Sequence, residues 1–120
     1  LFFTRTLFSS DGYDEISLTG PVSVRTRNTE KIYLPKSFGL NTLNPTELFG
    51  GDTVPEAAKI FTNVLENKGT DAQRDIVLAN AGMAIQSFEP DWSLLDCVAK
   101  ARESLTSGNA YKILKTITNC

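Results

Sequence analysis

Two carboxylates stand side by side in this chain, Asp14 and Glu15, just after a turn-forming Asp11-Gly12 pair. Glycine frees the backbone for a tight turn, so both acidic side chains can leave one short loop in the same general direction. Their mutual repulsion costs free energy unless water or a cation relieves it. Mg²⁺ suits such a pair: it prefers hard oxygen ligands and often takes only one or two carboxylates from a protein, leaving its other positions to water and substrate phosphates. Asp-Gly and Asp-Glu are also ordinary solvated-turn composition, so the five residues from Asp11 to Glu15 leave both readings open.

Other chemistry is narrowed by what the sequence contains. It has no histidine, which removes Ser-His-Asp and Cys-His catalysis and histidine-ligated zinc from these residues. Its two cysteines, Cys97 inside a helical pattern and Cys120 at the end, form neither a disulfide framework nor a Cys-x-x-Cys pattern, and a reducing, cytoplasmic setting fits. Gly50-Gly51-Asp52 runs into a helix start, where free N–H groups attract anions, yet two glycines before a helix serve a sharp turn equally well, and the turn is the preferred reading. Asn80 stands alone in an apolar helical run; if buried it must hydrogen-bond, and a structural role within the helical layer is preferred over a substrate contact. Trp92 reads as a core anchor rather than a pocket residue, and Ser9 and Ser10 lead into the acidic turn without a defined role.

The elements that must hold these residues follow from periodicity. Leu1 to Phe8 is aromatic and apolar enough for a strand buried on both faces, which needs neighbours on both sides. Val22, Val24 and Thr26 alternate with Ser23, Arg25 and Arg27, and a second alternating run places Ile32 and Leu34 on one face; with Asn28-Thr29 between them this predicts a β-hairpin. Pro35 to Gly51 loses periodicity, apart from one helical turn at Pro45 to Phe49. Thr53 and Glu56 form a capping box ahead of Ala57, Ile60, Phe61, Val64 and Leu65, and this helix should end near Asn67-Lys68-Gly69. Thr70 or Asp71 opens a second helix, so apolar from Ile76 to Ile85 that it should be central. A third helix is capped by Asp91 or Ser93 and carries Leu94, Leu95, Val98, Ala99, Arg102 and Leu105; after Ser107-Gly108 a fourth carries Ala110, Ile113, Leu114 and Ile117. The expected fold class is α/β: strand, acidic loop, hairpin, then about four helices, with an incomplete sheet.

At 120 residues, 41% apolar and 22% charged, the chain suits one domain with a real core. No apolar run approaches the ~20 residues of a spanning helix, so no membrane partner is expected. The net charge is −2 with Lys and Arg scattered, which argues against a nucleic-acid partner. The start at Leu1 lacks the charged region and cleavage site of a secretory signal.

The whole run Asp11-Gly12-Tyr13-Asp14-Glu15-Ile16-Ser17-Leu18-Thr19-Gly20-Pro21 resembles the acidic motif of the anthranilate phosphoribosyltransferases, and Asn80-Ala81 and Ser107-Gly108-x-Ala110 are similar to the family at the matching points. The resemblance implies transfer of a phosphoribosyl group from 5-phosphoribosyl 1-pyrophosphate to anthranilate in tryptophan biosynthesis, with Asp14 and Glu15 binding the Mg²⁺ that escorts the pyrophosphate, and a parent enzyme that is a homodimer. It also implies that residues 1–120 are a C-terminal piece of the α/β domain, with the N-terminal helical domain and the glycine-rich phosphate loop outside them. The lysine-containing segment and the anthranilate contacts lie outside as well, and Leu1 to Ser10 fits the family less closely, so only Asp14 and Glu15 carry a role over. The isolated piece is expected to be inactive. The rival readings are a non-catalytic relative of the same fold that binds nucleic acid, which would need a basic groove, and a scaffold module.

Overall fold

A computed structural model describes residues 6–9 and 12–119. The described residues run through three strands, β1 (Thr6–Ser9), β2 (Val22–Arg25) and β3 (Glu30–Tyr33), then four helices, α1 (Val54–Leu65), α2 (Asp71–Phe88), α3 (Leu94–Thr106) and α4 (Asn109–Thr118). The strands form an antiparallel sheet in the order β1-β2-β3, so the α/β expectation holds. The first half of the strand expected over Leu1 to Phe8 lies outside the described residues; its second half is β1, at one edge, pairing Leu7 with Val24 and Ser9 with Val22.

The hairpin forms with Val22 opposite Tyr33 and Arg25 opposite Glu30. Its connection is four residues long: Thr26 N–H donates to the Thr29 carbonyl at 2.8 Å, and the two threonine hydroxyls meet at 2.7 Å. Directly opposed residues share a face, so Tyr33 joins the buried Val22 and Val24, while Ile32 (72% exposed) joins Ser23, Arg25 and Glu30 on the outside. The alternating run of β3 thus turns Tyr33 inward and leaves Ile32 and Leu34 exposed. Arg25 and Glu30 pair across this outer face at 3.2 Å.

The stretch from Pro35 to Gly51 contains two 3₁₀ turns, Pro35–Phe38 and Pro45–Leu48, the second of them anticipated from the sequence. The first drives Phe38 into the core, 1% exposed, with its ring centroid 6.0 Å from that of Tyr33; Leu40 is buried beside it. Periodicity gives no warning of core residues in so short a turn.

The helix starts obey local chemistry. Thr53 Oγ1 accepts from Glu56 N–H, although the Glu56 carboxylate reaches back to Asp52 N–H at 2.7 Å rather than to Thr53. Thr70 and Gln73 form a reciprocal capping box, and Ser93 Oγ accepts from Asp96 N–H. The first helix ends with Asn67 in the left-handed region (φ 61°), and the Asn67 amide donates to the Leu105 carbonyl, tying the end of α1 to that of α3. α2 is central as expected: Leu78, Ala79 and Met83 join Leu94, Val98, Ala101 and Leu105 of α3 in the core with Ile16, Leu18, Val22, Val24 and Phe38. On α3, Cys97 and Ala101 are buried, whereas Leu95 and Ala99 face outward. No helix among the described residues is long and apolar enough to cross a membrane.

α2 approaches α3 tightly at Gly82. A Cβ there would lie 2.6 Å from Val98 Cγ2 and 3.1 Å from the Val98 backbone. Alanine is the better helix former by about 1 kcal/mol, but overpacking of a filled core costs about 1–3 kcal/mol. Because the Val98 backbone cannot step aside, Gly82→Ala is expected to lower stability by about 1–2 kcal/mol in urea unfolding. Phe38→Ala, which empties a fully buried site, should cost about 3–5 kcal/mol by the same measurement.

Candidate functional site

The acidic loop is held from its C-terminal side. Gly12 has φ 92°, as a tight turn requires, and Tyr13, Asp14 and Glu15 are exposed. The next three residues turn sharply inward: Ile16 and Leu18 are each 1% exposed and Ser17 is 5%. Leu18 adopts φ 62°, an uncommon conformation for a branched side chain, and its carbonyl accepts from Leu43 N–H at 2.9 Å. Ser17 Oγ lies 2.7 Å from Thr19 Oγ1 and accepts from Thr19 N–H. The two carboxylates therefore project from a segment fixed in the core.

Neither carboxylate forms an ion pair among the described residues, and no third His, Cys, Asp or Glu there joins them in a cluster. Adjacent hard-oxygen donors facing solvent without a lysine or arginine suit a divalent cation that completes its shell with water or phosphate oxygens. A shallow cleft of about 220 Å³ lies beside them, lined by Tyr13, Asp14, Glu15, Ile16, Leu48 and Ile76, so the loop, the second 3₁₀ turn and α2 meet there.

Asn80 supplies the link to α2. Its Oδ1 accepts from Ile16 N–H at 3.1 Å, while its Nδ2 donates to the Ile16 carbonyl at 2.8 Å and to the Ile76 carbonyl at 2.9 Å. Sequence reasoning correctly required hydrogen-bonded partners, but placed them within the helical layer; two of the three bonds go instead to the acidic loop. No sequence signal connects positions 16 and 80. A polar residue alone in an apolar helix shows that a partner is needed without showing where it lies.

Other candidates separate from this site. At Gly50-Gly51-Asp52 the turn reading holds. Gly51 has φ 92° and a Cβ there would lie 2.9 Å from Glu56 Cβ, while the Asp52 and Glu56 N–H groups are bonded to Glu56 and Thr53. The Glu56 carboxylate also brings negative charge to the helix start, the wrong sign for phosphate. Trp92 is 43% exposed, so it is no core anchor. Cys97 is fully buried and packs. Ser10 lies outside the described residues. A separate cleft of about 240 Å³ between the hairpin and the end of α2, lined by Val24, Thr26, Lys31, Tyr33, Gln86 and Ser87, does not include the acidic pair.

Electrostatically, the strongest local arrangement is on α2: Arg74 donates to Asp75 through Nε at 3.0 Å and through an η nitrogen at 2.8 Å, and to Asp71 at 3.0 Å. The hydrogen bond to Asp75 leads the causes that raise the guanidinium pKa, so the buried Asp75 carboxylate faces a permanent cation. These bonds include neither Asp14 nor Glu15.

Comparison with known proteins places this geometry in context. Residues 3–111 match the family described as "Glycosyl transferase family, a/b domain". The anthranilate phosphoribosyltransferase of Cytophaga hutchinsonii is 55% identical over 105 residues, 88% of this chain and 32% of that enzyme. Among solved structures, the anthranilate phosphoribosyltransferase from Thermus thermophilus is 28% identical with a TM-score of 0.82, covering 95% of this chain and 34% of that one. The Saccharomyces cerevisiae enzyme in complex with PRPP and Mg is 24% identical with a TM-score of 0.83, covering 94% of this chain and 32% of that one, which demonstrates a shared fold. The chain spans about a third of the length of the relatives it matches. The sheet, the acidic loop and the first three helices thus lie within the residues that match, and the chain belongs to the glycosyl transferase family through its a/b domain.

Proposed function

We propose that these residues form part of an anthranilate phosphoribosyltransferase, a cytoplasmic enzyme of tryptophan biosynthesis, and that Asp14 and Glu15 are its Mg²⁺ ligands. The observation that carries the reading is the adjacent, solvent-facing carboxylate pair without an ion-pair partner among the described residues, projecting from a segment whose next three residues are buried. The names of relatives up to 55% identical support the transferase assignment, and the complex of the S. cerevisiae enzyme with PRPP and Mg supports the cofactor.

In the proposed reaction the anthranilate nitrogen attacks C1 of the ribose, the bond from C1 to the pyrophosphate oxygen breaks, and the amine gives up a proton. Asp14 and Glu15 would hold the Mg²⁺, and a divalent cation bound there would supply positive charge to offset that of the departing pyrophosphate. The chain's own part is positional. Asp14 and Glu15 offer oxygen ligands, Ile16 to Leu18 keep them from swinging, and no nucleophilic side chain is required because such catalysis rests on orientation and electrostatics. The cleft beside the pair, about 220 Å³, is smaller than the ~300–1,000 Å³ of ordinary ligand pockets, which supports one wall of a site rather than the whole of it.

In the whole protein containing this sequence, Asp14→Asn and Glu15→Gln are each expected to lower kcat/KM by about a hundredfold or more, equivalent to roughly 2.7 kcal/mol of transition-state stabilisation. Steady-state assays of phosphoribosylanthranilate formation at limiting Mg²⁺ check this, and wild-type kinetics would contradict it. Residues 1–120 alone should form no product and hold Mg²⁺ only weakly, since substrate phosphates ordinarily complete its shell. Calorimetry that finds micromolar Mg²⁺ affinity, or any turnover above background, would mean that the site is complete within these residues.

A further inference from the structure

We propose that Asn80 is a positioning residue for the acidic pair: its side-chain amide sets the direction in which Asp14 and Glu15 point, and thereby the affinity for the divalent cation. This rests on the metal reading above and adds to it a residue 64 positions beyond the loop anchor, on another element.

The geometry is that of a two-way lock. The amide closes a ring of two hydrogen bonds with Ile16, accepting from its N–H at 3.1 Å and donating to its carbonyl at 2.8 Å, as a neighbouring strand would. The second N–H of the amide goes to the Ile76 carbonyl one helical turn back, at 2.9 Å. That third bond fixes which way the amide faces, because a flipped amide would set its NH₂ against the Ile16 N–H and its oxygen against two carbonyls. Both backbone polar groups of Ile16 are thus held by one rigid side chain on an 18-residue helix. Ile16 directly follows Glu15, and its own side chain is 1% exposed in the core. Its backbone is pinned to α2 and its side chain to the hydrophobic cluster, so the peptide plane leaving Glu15 has a single orientation. The exposed carboxylates lack any other tether among the described residues, so this anchor is what limits their swing.

Alanine at 80 removes all three bonds. Aspartate can still accept from Ile16 N–H but cannot donate to either carbonyl and brings a third negative charge toward the loop. A residue that only stabilised α2 would act through stability alone. Gly82→Ala is the matched control: it disturbs the same helix two residues away, through Val98, without touching Ile16.

The test is Mn²⁺ binding in the presence of 5-phosphoribosyl 1-pyrophosphate, followed by the electron paramagnetic resonance signal of free Mn²⁺, in the whole protein containing this sequence. Asn80→Ala and Asn80→Asp should weaken binding about tenfold or more, as loss of a partner behind a metal ligand commonly does, while Gly82→Ala binds like wild type. Unchanged affinity in both Asn80 variants, or an equal loss in Gly82→Ala, would overturn the inference while leaving the metal reading intact. Wild-type protein that binds no Mn²⁺, or binding that survives Asp14→Asn with Glu15→Gln, would overturn the metal reading itself. Should the Asn80 variants fail to fold, hydrogen exchange of the wild type decides: the Ile16 amide should be protected as strongly as the central amides of α2, and exchange at the unprotected rate would overturn the inference.

Discussion

An asparagine amide bonded to both backbone groups of one loop residue joins the acidic loop of this chain to its helical layer. A loop that ends in two adjacent carboxylates has reason to loosen, since repulsion drives the charges apart and each exposed residue gains conformational freedom on the order of 1–2 kcal/mol when released. What opposes this is the penalty for leaving the Ile16 N–H and C=O unpaired beside an apolar core, about 1–3 kcal/mol for each group. The two tendencies are of similar size, so the Asn80 contact decides whether the loop keeps one shape. Side-chain burial of Ile16 and Leu18 and the bond from Leu43 N–H to Leu18 then extend the anchor along the chain.

The anchor is only as firm as the helix beneath it. α2 is held by its reciprocal cap at Thr70 and Gln73, by the close approach of Gly82 to Val98, and by the core that Leu78, Ala79 and Met83 share with α3. Asn80 sits between Ala79 and Gly82, so the core residues of α2 and the residue that holds the loop share the short stretch from Leu78 to Met83. The sheet contributes Val22 and Val24 to the same cluster. Core packing and the loop anchor therefore occupy neighbouring but separate side chains of α2, Gly82 meeting Val98 and Asn80 meeting Ile16, while α1 and α4 contribute less to the buried core. Their apolar residues Phe61, Ile113 and Ile117 are more than half exposed, and α1 lines an open groove with Leu48, Phe49, Ile76 and Val77.

What could be read from the sequence follows the range of the physics. Caps at Thr53, Thr70 and Ser93, the end of α1 just before Asn67 and the hairpin are settled by neighbouring residues, and all are where the residue types put them. The acidic pair was legible as a chemical possibility because its meaning lies in adjacency. The bond from Asn80 to Ile16 was not, since spacing identifies a lone polar residue but cannot name a partner on another element. Phe38 and Leu40 were missed for a related reason: a single 3₁₀ turn is too short to carry a period, and its burial is dictated by the hairpin beside it. For Ile32 and Leu34, alternation identified an apolar face and register turned it outward.

A divalent cation at the end of a loop fixed by Asn80 is most directly tested by a crystal structure of the whole protein with Mn²⁺ and 5-phosphoribosyl 1-pyrophosphate, using the anomalous signal of manganese to locate the ion. The expected result is Mn²⁺ coordinated by carboxylate oxygens of both Asp14 and Glu15 and by pyrophosphate oxygens, with the amide of Asn80 still bonded to Ile16 on both sides. Manganese bound to phosphate alone, with both carboxylates turned to solvent, or an acidic loop that has left Asn80 in the complex, would contradict it.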